Sequence, residues 1–224
     1  MRLSRLDLAG MIDSTLVKPT ATKGEILRLC REAVQHKFHA VCVNSAYVPL
    51  AAQALKGTSV KVCSTVGFPY GSALPEAKAY EAERAVERGA DEVDMVINVG
   101  WLKSGDVDGV RRDIQGVVKA VKRLNPSALV KVIIETGYLT GEEKVLACRA
   151  AVEAGADFVK TCTGLVGRAT VEDVQLMRKT VGERVGVKAA GGIRTYEDAL
   201  AMIRAGANRI GTSTAVAVVM GAPE

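Results

Sequence analysis

The chain has 224 residues, with 30 Lys and Arg against 25 Asp and Glu, a formal net charge of +5. The length suits one domain, residues 1–224, with a sizeable core. The basic residues are interleaved with acids and form neither a Lys/Arg block nor an aromatic platform, so nucleic acid is not indicated as a partner.

The five cysteines (Cys30, Cys42, Cys63, Cys148, Cys162) are odd in number and widely spaced. That pattern reads as reduced thiols in a cytoplasmic protein. The N-terminus alternates charged and apolar residues, and the longest apolar run, Ala215–Met220, is too short to span a bilayer. No signal peptide and no membrane association are therefore expected.

Arg2–Ala9 is expected as a short lid helix and Met11-Ile12-Asp13 as a first strand, followed by a loop that Pro19 stops. Thr22 and Glu25 form a capping box for a helix to about His36. Ala40–Val43 is a second strand ended by Asn44, and a short helix covers about Ala46–Leu55. Val60–Ser64 is a third strand leading into the turn-rich Gly67–Gly71. Ala73–Arg88 is a helix closed by Gly89, and Glu92–Ile97 a fourth strand. Gly100–Gly105 reads as a loop before a helix over Val107–Leu124. Leu129–Ile134 is a fifth strand with Glu135 at its end. Thr140 and Glu143 cap a helix to about Ala154, and Phe158–Lys160 is a sixth strand. Thr170 and Asp173 cap the next helix. Gly186–Ala190 is a seventh strand, Thr195 and Asp198 cap a further helix, Asn208–Ile210 is an eighth strand, and Thr212–Val219 is the last helix.

One phrase recurs: a helix end, Gly, Ala, an acid or amide, then a strand. It occurs at Glu87–Asp94, Glu153–Lys160 and Arg204–Gly211. Strands and helices alternate strictly, and the strands are continuous apolar runs of the kind covered on both faces in parallel sheets. An eight-fold β/α barrel follows. A doubly wound open sheet is the runner-up, but no glycine fingerprint follows the first strand.

In a barrel the strand C-termini surround one pocket. They carry Asp13, Asn44, Asp94, Glu135, Lys160, Lys188 and Gly211. Period-two alternation turns Asp94, Val96 and Asn98 inward. Lys160 and Lys188 follow apolar residues in buried strands, where lysine is rare unless paired or functional. Two ammonium groups in one pocket, partly desolvated, favour a neutral amine able to attack a carbonyl. Asp94 is placed to shuttle protons. Lys131 also lies in an apolar run, and the residues alone do not rank the three lysines. Glycine turns at Gly164 and Gly167, at Gly191-Gly192 and at Gly211-Thr212-Ser213 are candidates for cradling a phosphate. Metal chemistry is not indicated: His36 and His39 precede the second strand, on the face away from the pocket, and the cysteines lack ligand spacing.

These motifs, in this order, resemble the deoxyribose-phosphate aldolases, a class I family with the TIM-barrel fold. The resemblance runs through IDSTL with Lys18-Pro19, AVCVN, VGFP, DEVDMVIN, VKVIIE, FVKT, VKAAGGIR and GTS, and covers nearly the whole chain. It implies reversible cleavage of 2-deoxy-D-ribose 5-phosphate to glyceraldehyde 3-phosphate and acetaldehyde, without metal or other cofactor. Lys160 matches the Schiff-base lysine, Lys188 the lysine that lowers its pKa, and Asp94 the proton-relaying acid. Asp13, Thr161, Gly164, Gly191, Gly192, Gly211 and Ser213 are the expected substrate and phosphate contacts. Lys131 and Asn44 are supporting residues. A homodimer or homotetramer is implied as well.

The chain departs from the family in five places. Ser14 stands where many relatives carry His, and Ser45 where many carry Pro. Cys162 replaces a common Ser and is expected to be reactive. The Leu165–Thr170 segment is one residue short and contains Arg168, and no terminal Tyr follows the eighth strand. The competing readings are another phosphate-binding barrel enzyme, such as an isomerase using Glu135 or Asp94 as base, and a non-enzymatic ligand-binding barrel.

Overall fold

The structure is a computed structural model and describes residues 2–224. Eight parallel strands pair in chain order and close on themselves. They are β1 (Ile12–Leu16), β2 (Ala40–Val43), β3 (Lys61–Val66), β4 (Glu92–Val96), β5 (Leu129–Ile133), β6 (Phe158–Lys160), β7 (Gly186–Ala190) and β8 (Arg209–Thr212). The helices are α1 (Arg5–Ala9), α2 (Lys23–His36), α3 (Val48–Ala54), α4 (Pro75–Glu87), α5 (Val99–Lys103), α6 (Val107–Leu124), α7 (Gly141–Glu153), α8 (Val171–Val181), α9 (Tyr196–Arg204) and α10 (Ala215–Met220). This is the expected (β/α)8 barrel. Its outer core is aliphatic, with Val41, Val43, Val93, Val130, Val132, Val159, Val187 and Ile210 wholly buried between strands and helices.

The recurring phrase has a common geometry. At all three sites the glycine is left-handed, with φ +105 at Gly89, +85 at Gly155 and +114 at Gly206. The next alanine donates its N–H five residues back, to Ala85, Ala151 and Met202, each at 3.0 Å. That is the helix-ending bond of the Schellman motif, and it needs a residue that tolerates positive φ.

The acid or amide then clamps the preceding strand. Asp91, Asp157 and Asn208 donate their backbone N–H to the carbonyls of Val62, Val130 and Val187. Their side-chain oxygens accept the N–H of those same valines at 2.9, 2.7 and 3.0 Å. The phrase therefore sets the register of β4 on β3, β6 on β5 and β8 on β7.

Several boundaries differ from expectation. β1 runs on through Ser14-Thr15-Leu16, because these residues pair with Val41, Cys42 and Val43 of β2. The pairing outweighs the loop character suggested by two hydroxyl residues ahead of a proline. The expected loop at Gly100–Gly105 contains α5. Asn98 caps this helix by accepting the Trp101 N–H at 3.1 Å, while glycines at 100 and 105 mask it in the sequence.

β8 includes Gly211 and Thr212, which pair with Asp13 and Ser14. The last helix therefore begins at Ala215 and has six residues. α1 starts at Arg5, behind a Ser4–Asp7 capping box. It sits at the N-terminal face: the carbonyl of Ala9 accepts the His39 N–H just before β2. It therefore plugs the end away from the strand C-termini.

Replacing Asp157 by Ala leaves the Val130 N–H without its acceptor and should destabilise the barrel by about 1–3 kcal/mol. Asp157→Asn keeps the acceptor and loses only the half-buried pair with Lys122, a change of under about 1 kcal/mol. Urea midpoints of the two variants check this; equal losses would deny the clamp its role.

Candidate active site

Inward-facing residues of six strands build one ionic cluster inside the barrel. Asp13 (β1), Glu92 and Asp94 (β4), Lys131 (β5), Lys160 (β6), Lys188 (β7) and Arg209 (β8) meet there, all under one-tenth exposed. Alternation explains the set, since residues two apart on a strand share a face. Buried charges demand partners of opposite sign, and these have them.

Asp94 is the hub and is wholly buried. Its Oδ1 accepts from Lys131 Nζ at 2.9 Å and from the Cys63 thiol at 3.1 Å. Its Oδ2 accepts from Lys160 Nζ at 2.7 Å and Lys188 Nζ at 2.8 Å. Burial works against its charge, but the three ammonium groups prevail and hold its carboxyl well below the usual carboxylate range.

The lysines differ in their surroundings. Lys131 touches Glu92 at 2.6 Å, Asp94 at 2.9 Å and Asp13 at 3.8 Å, and is 0% exposed. Burial pulls its pKa down, but these carboxylates outweigh burial and raise it well above the ordinary lysine value. Lys188 is also 0% exposed and pairs with Asp13 at 2.5 Å and Asp94 at 2.8 Å. Again burial is overcome by two carboxylates, and its pKa is raised. Lys160 has a single carboxylate partner, Asp94, and retains 3% exposure at the mouth.

The floor consists of Arg209, Glu92 and Asp13. Arg209 pairs with Asp13 at 2.9 Å and Glu92 at 3.4 Å, and its guanidinium lies 5.5 Å from the Phe158 ring. His39 Nε2 reaches Glu92 at 3.1 Å from below. Neither Arg209 nor Glu92 stood out in the sequence. The signal was there in Glu92-Val-Asp94 and Arg209-Ile-Gly211, where period two turns both members inward.

Cys42 and Cys63 were also missed as neighbours of the site. They pair across β2 and β3, and their sulfurs and an Asp94 oxygen lie within 4.8 Å of one another. The donor set does not suit a cation, because Lys131 already stands 3.3 Å from the Cys63 sulfur and 2.9 Å from Asp94.

Three of the expected substrate contacts have protein partners of their own. Asp13 is wholly buried with both oxygens on cations, which makes it a counter-ion. Thr161 is wholly buried; its hydroxyl donates to the Ala190 carbonyl at 2.8 Å and accepts the Ala190 N–H at 3.0 Å. It staples β6 to β7. Gly211 lies within β8, and a Cβ there would stand 3.0 Å from Lys188 Cε; its bare backbone makes room for that lysine.

Cys162 is wholly buried against the Thr136 hydroxyl at 3.2 Å, and burial pushes its thiol up, so it is not the reactive group expected. Asn44 bridges the Val17 carbonyl and the Thr65 hydroxyl.

The glycine turns do gather at the mouth. Gly164, Gly191 and Gly192 are left-handed, and the Ala169 N–H donates to the Gly191 carbonyl at 3.0 Å. The Arg168 stem covers Gly192, where a Cβ would meet it at 2.9 Å. Ser213 and Thr214 are exposed beside them at the end of β8. A cavity of about 490 Å³ opens on the other side of the mouth, lined in part by Asn44, Ser45, Thr65 and Phe68. A second, of about 50 Å³, is lined in part by Val96, Glu135 and Thr163. Such an arrangement offers a lysine amine, a charged neighbour and a carboxylate to one small carbonyl compound.

Comparisons with known proteins agree with this geometry. A family model described as DeoC/LacD family aldolase matches residues 11–222. A deoxyribose-phosphate aldolase of Thermococcus gammatolerans is 61% identical over 220 residues, 97% of each chain. One of Carboxydothermus hydrogenoformans is 57% identical over 220 residues, 98% of this chain and 96% of the relative. Among solved structures, the tetrameric deoxyribose phosphate aldolase of Aeropyrum pernix superposes with a TM-score of 0.91 at 37% identity, covering 98% of this chain and 92% of that one. Fold, ionic cluster and relatives agree, and the chain belongs to the DeoC/LacD aldolase family.

Proposed function

We propose that the chain is a class I aldolase that reversibly cleaves 2-deoxy-D-ribose 5-phosphate to D-glyceraldehyde 3-phosphate and acetaldehyde through a Schiff base on Lys160. One observation carries the assignment of the lysine. Of the three in the cluster, Lys160 has the fewest carboxylate partners and is the one with exposure at the mouth. The names and identities of the relatives support the substrate.

The neutral Lys160 amine attacks C1 of the open-chain aldehyde, and loss of water gives an iminium. Lys188, kept charged by Asp13 and Asp94, shares the Asp94 Oδ2 with Lys160 and repels a second ammonium there. The iminium takes the electron pair released when the C3 hydroxyl loses its proton and C2–C3 breaks. Glyceraldehyde 3-phosphate leaves, an enamine remains, and its protonation at C2 followed by hydrolysis frees acetaldehyde. Asp94 stabilises each cationic nitrogen on this path and, through water, relays protons between Lys160 and the substrate. Lys131 is too encased to be the nucleophile; it fixes Asp94.

The lysine imine is the electron sink, so the reading requires no cofactor or metal. The phosphate is assigned to the turns at Gly164 and Gly191-Gly192 and to Ser213, with backbone N–H groups as donors. Asn44, which lines the larger cavity, is assigned a supporting role. All of this lies in one barrel domain, with a homo-oligomer as the assembly, by analogy with the Aeropyrum pernix tetramer. A cytoplasmic location is in keeping with the described helices, none of which is long and apolar enough to cross a membrane.

Incubation with acetaldehyde and borohydride, then peptide mass analysis, should find an ethyl group on Lys160. An adduct only on Lys131, or none, would sink the mechanism. Lys188→Leu should lower activity near pH 7 by about 100-fold or more. The loss should shrink as pH rises, because the variant lacks the Lys188 charge that disfavours a second ammonium beside Asp94. An unchanged pH–rate profile would take Lys188 out of its role.

A further inference from the structure

Glu135 follows β5 in a left-handed conformation, φ +56 and ψ +68, which is uncommon for a residue with a side chain. It is 2% exposed. Its Oε2 accepts two hydrogen bonds, from the Thr163 N–H at 3.0 Å and the Thr163 hydroxyl at 2.5 Å. Its Oε1 is buried and has no partner. An unpaired buried carboxylate oxygen is costly and asks for an explanation.

The surroundings supply one. Glu135 lines the 50 Å³ cavity together with Val96, two residues beyond Asp94, and Thr163, three beyond Lys160. The cavity is thus lined by residues that follow Asp94 and Lys160 toward the barrel mouth. The Thr163 hydroxyl gives its proton to Glu135 and accepts the Leu165 N–H at 3.2 Å, so it has no proton left to offer Oε1. The other end of the same loop differs in sign. There the Arg168 stem lies on Gly192, beside the left-handed Gly191-Gly192 turn. One loop thus runs from a carboxylate to a guanidinium-bearing side chain across the mouth.

We infer that Glu135 is the residue that reads the substrate's secondary hydroxyl and sets its direction. Oε1 accepts a hydrogen bond from the hydroxyl next to the aldehyde of the three-carbon phosphate, and the charge repels the phosphate toward Gly191-Gly192. This rests on the aldolase reading above and adds a specificity-determining group to it. A ligand bound this way gives Oε1 the partner it lacks. It also gives a reason for the left-handed backbone, which directs the side chain across to β6.

The test compares two aldehydes in the condensation direction with acetaldehyde: D-glyceraldehyde 3-phosphate and 3-oxopropyl phosphate, which lacks the hydroxyl. The wild-type protein should prefer the first in kcat/KM by about tenfold or more. In Glu135→Gln, Thr163 requires the amide oxygen as its acceptor, so the amide NH2 faces the cavity and an acceptor becomes a donor. The preference should collapse, with the loss confined to the hydroxylated aldehyde and imine trapping on Lys160 unchanged. An equal loss on both aldehydes would make Glu135 a purely structural brace and overturn the inference. So would a wild-type protein without the preference, a result that needs no variant to fold. Failure of trapping in the wild-type protein would instead strike the aldolase reading itself.

Discussion

Everything at the centre of this barrel depends on how Asp94 shares its charge. One buried carboxylate faces three ammonium groups, and no arrangement satisfies them all equally. Lys131 and Lys188 have further carboxylates to fall back on, while Lys160 does not. The asymmetry is what singles out one lysine of three. It comes from placement: Asp13 and Glu92 lie lower in the barrel, within reach of Lys131, Lys188 and Arg209. Depth in the barrel thus separates the lysines held by two or more carboxylates from the one held by Asp94 alone.

Much of this was legible in the sequence because strand periodicity and burial act locally. Lys160, Lys188 and Asp94 each stand in a short apolar run, and a charge in such a run has few explanations. The three Gly-Ala-acid or amide phrases marked the helix-to-strand turns correctly. What was not legible depends on partners distant in the chain. Nothing near Cys42 says that it meets Cys63 and Asp94. Nothing near Thr161 says that Ala190 of the next strand meets both its donor and its acceptor. Arg209 was hidden because its partners Asp13 and Glu92 come 196 and 117 residues earlier.

The mouth shows the same division. The loop after β6 touches both of its neighbours, Glu135 and Gly137 on one side and Gly191 on the other. Gly137 and Gly167 approach so closely that a Cβ on either would stand about 3 Å from the other backbone. Cys162 is sealed beneath this junction and exposes no thiol. The loop is held at both ends.

The acid and amide clamps have a consequence for how the barrel is held shut. They join β3 to β4, β5 to β6 and β7 to β8; of the seams between those couples, β6–β7 has the Thr161 staple. It is across those seams that the charges reach. Asp94 joins β4 to Lys131 of β5, Lys160 of β6 and Lys188 of β7, and Asp13 joins β1 to Arg209 of β8. The groups assigned to chemistry are also the mortar between prefabricated panels. The hub carboxylate is surrounded by lysines only where these panels meet, so the ionic cluster depends on their docking.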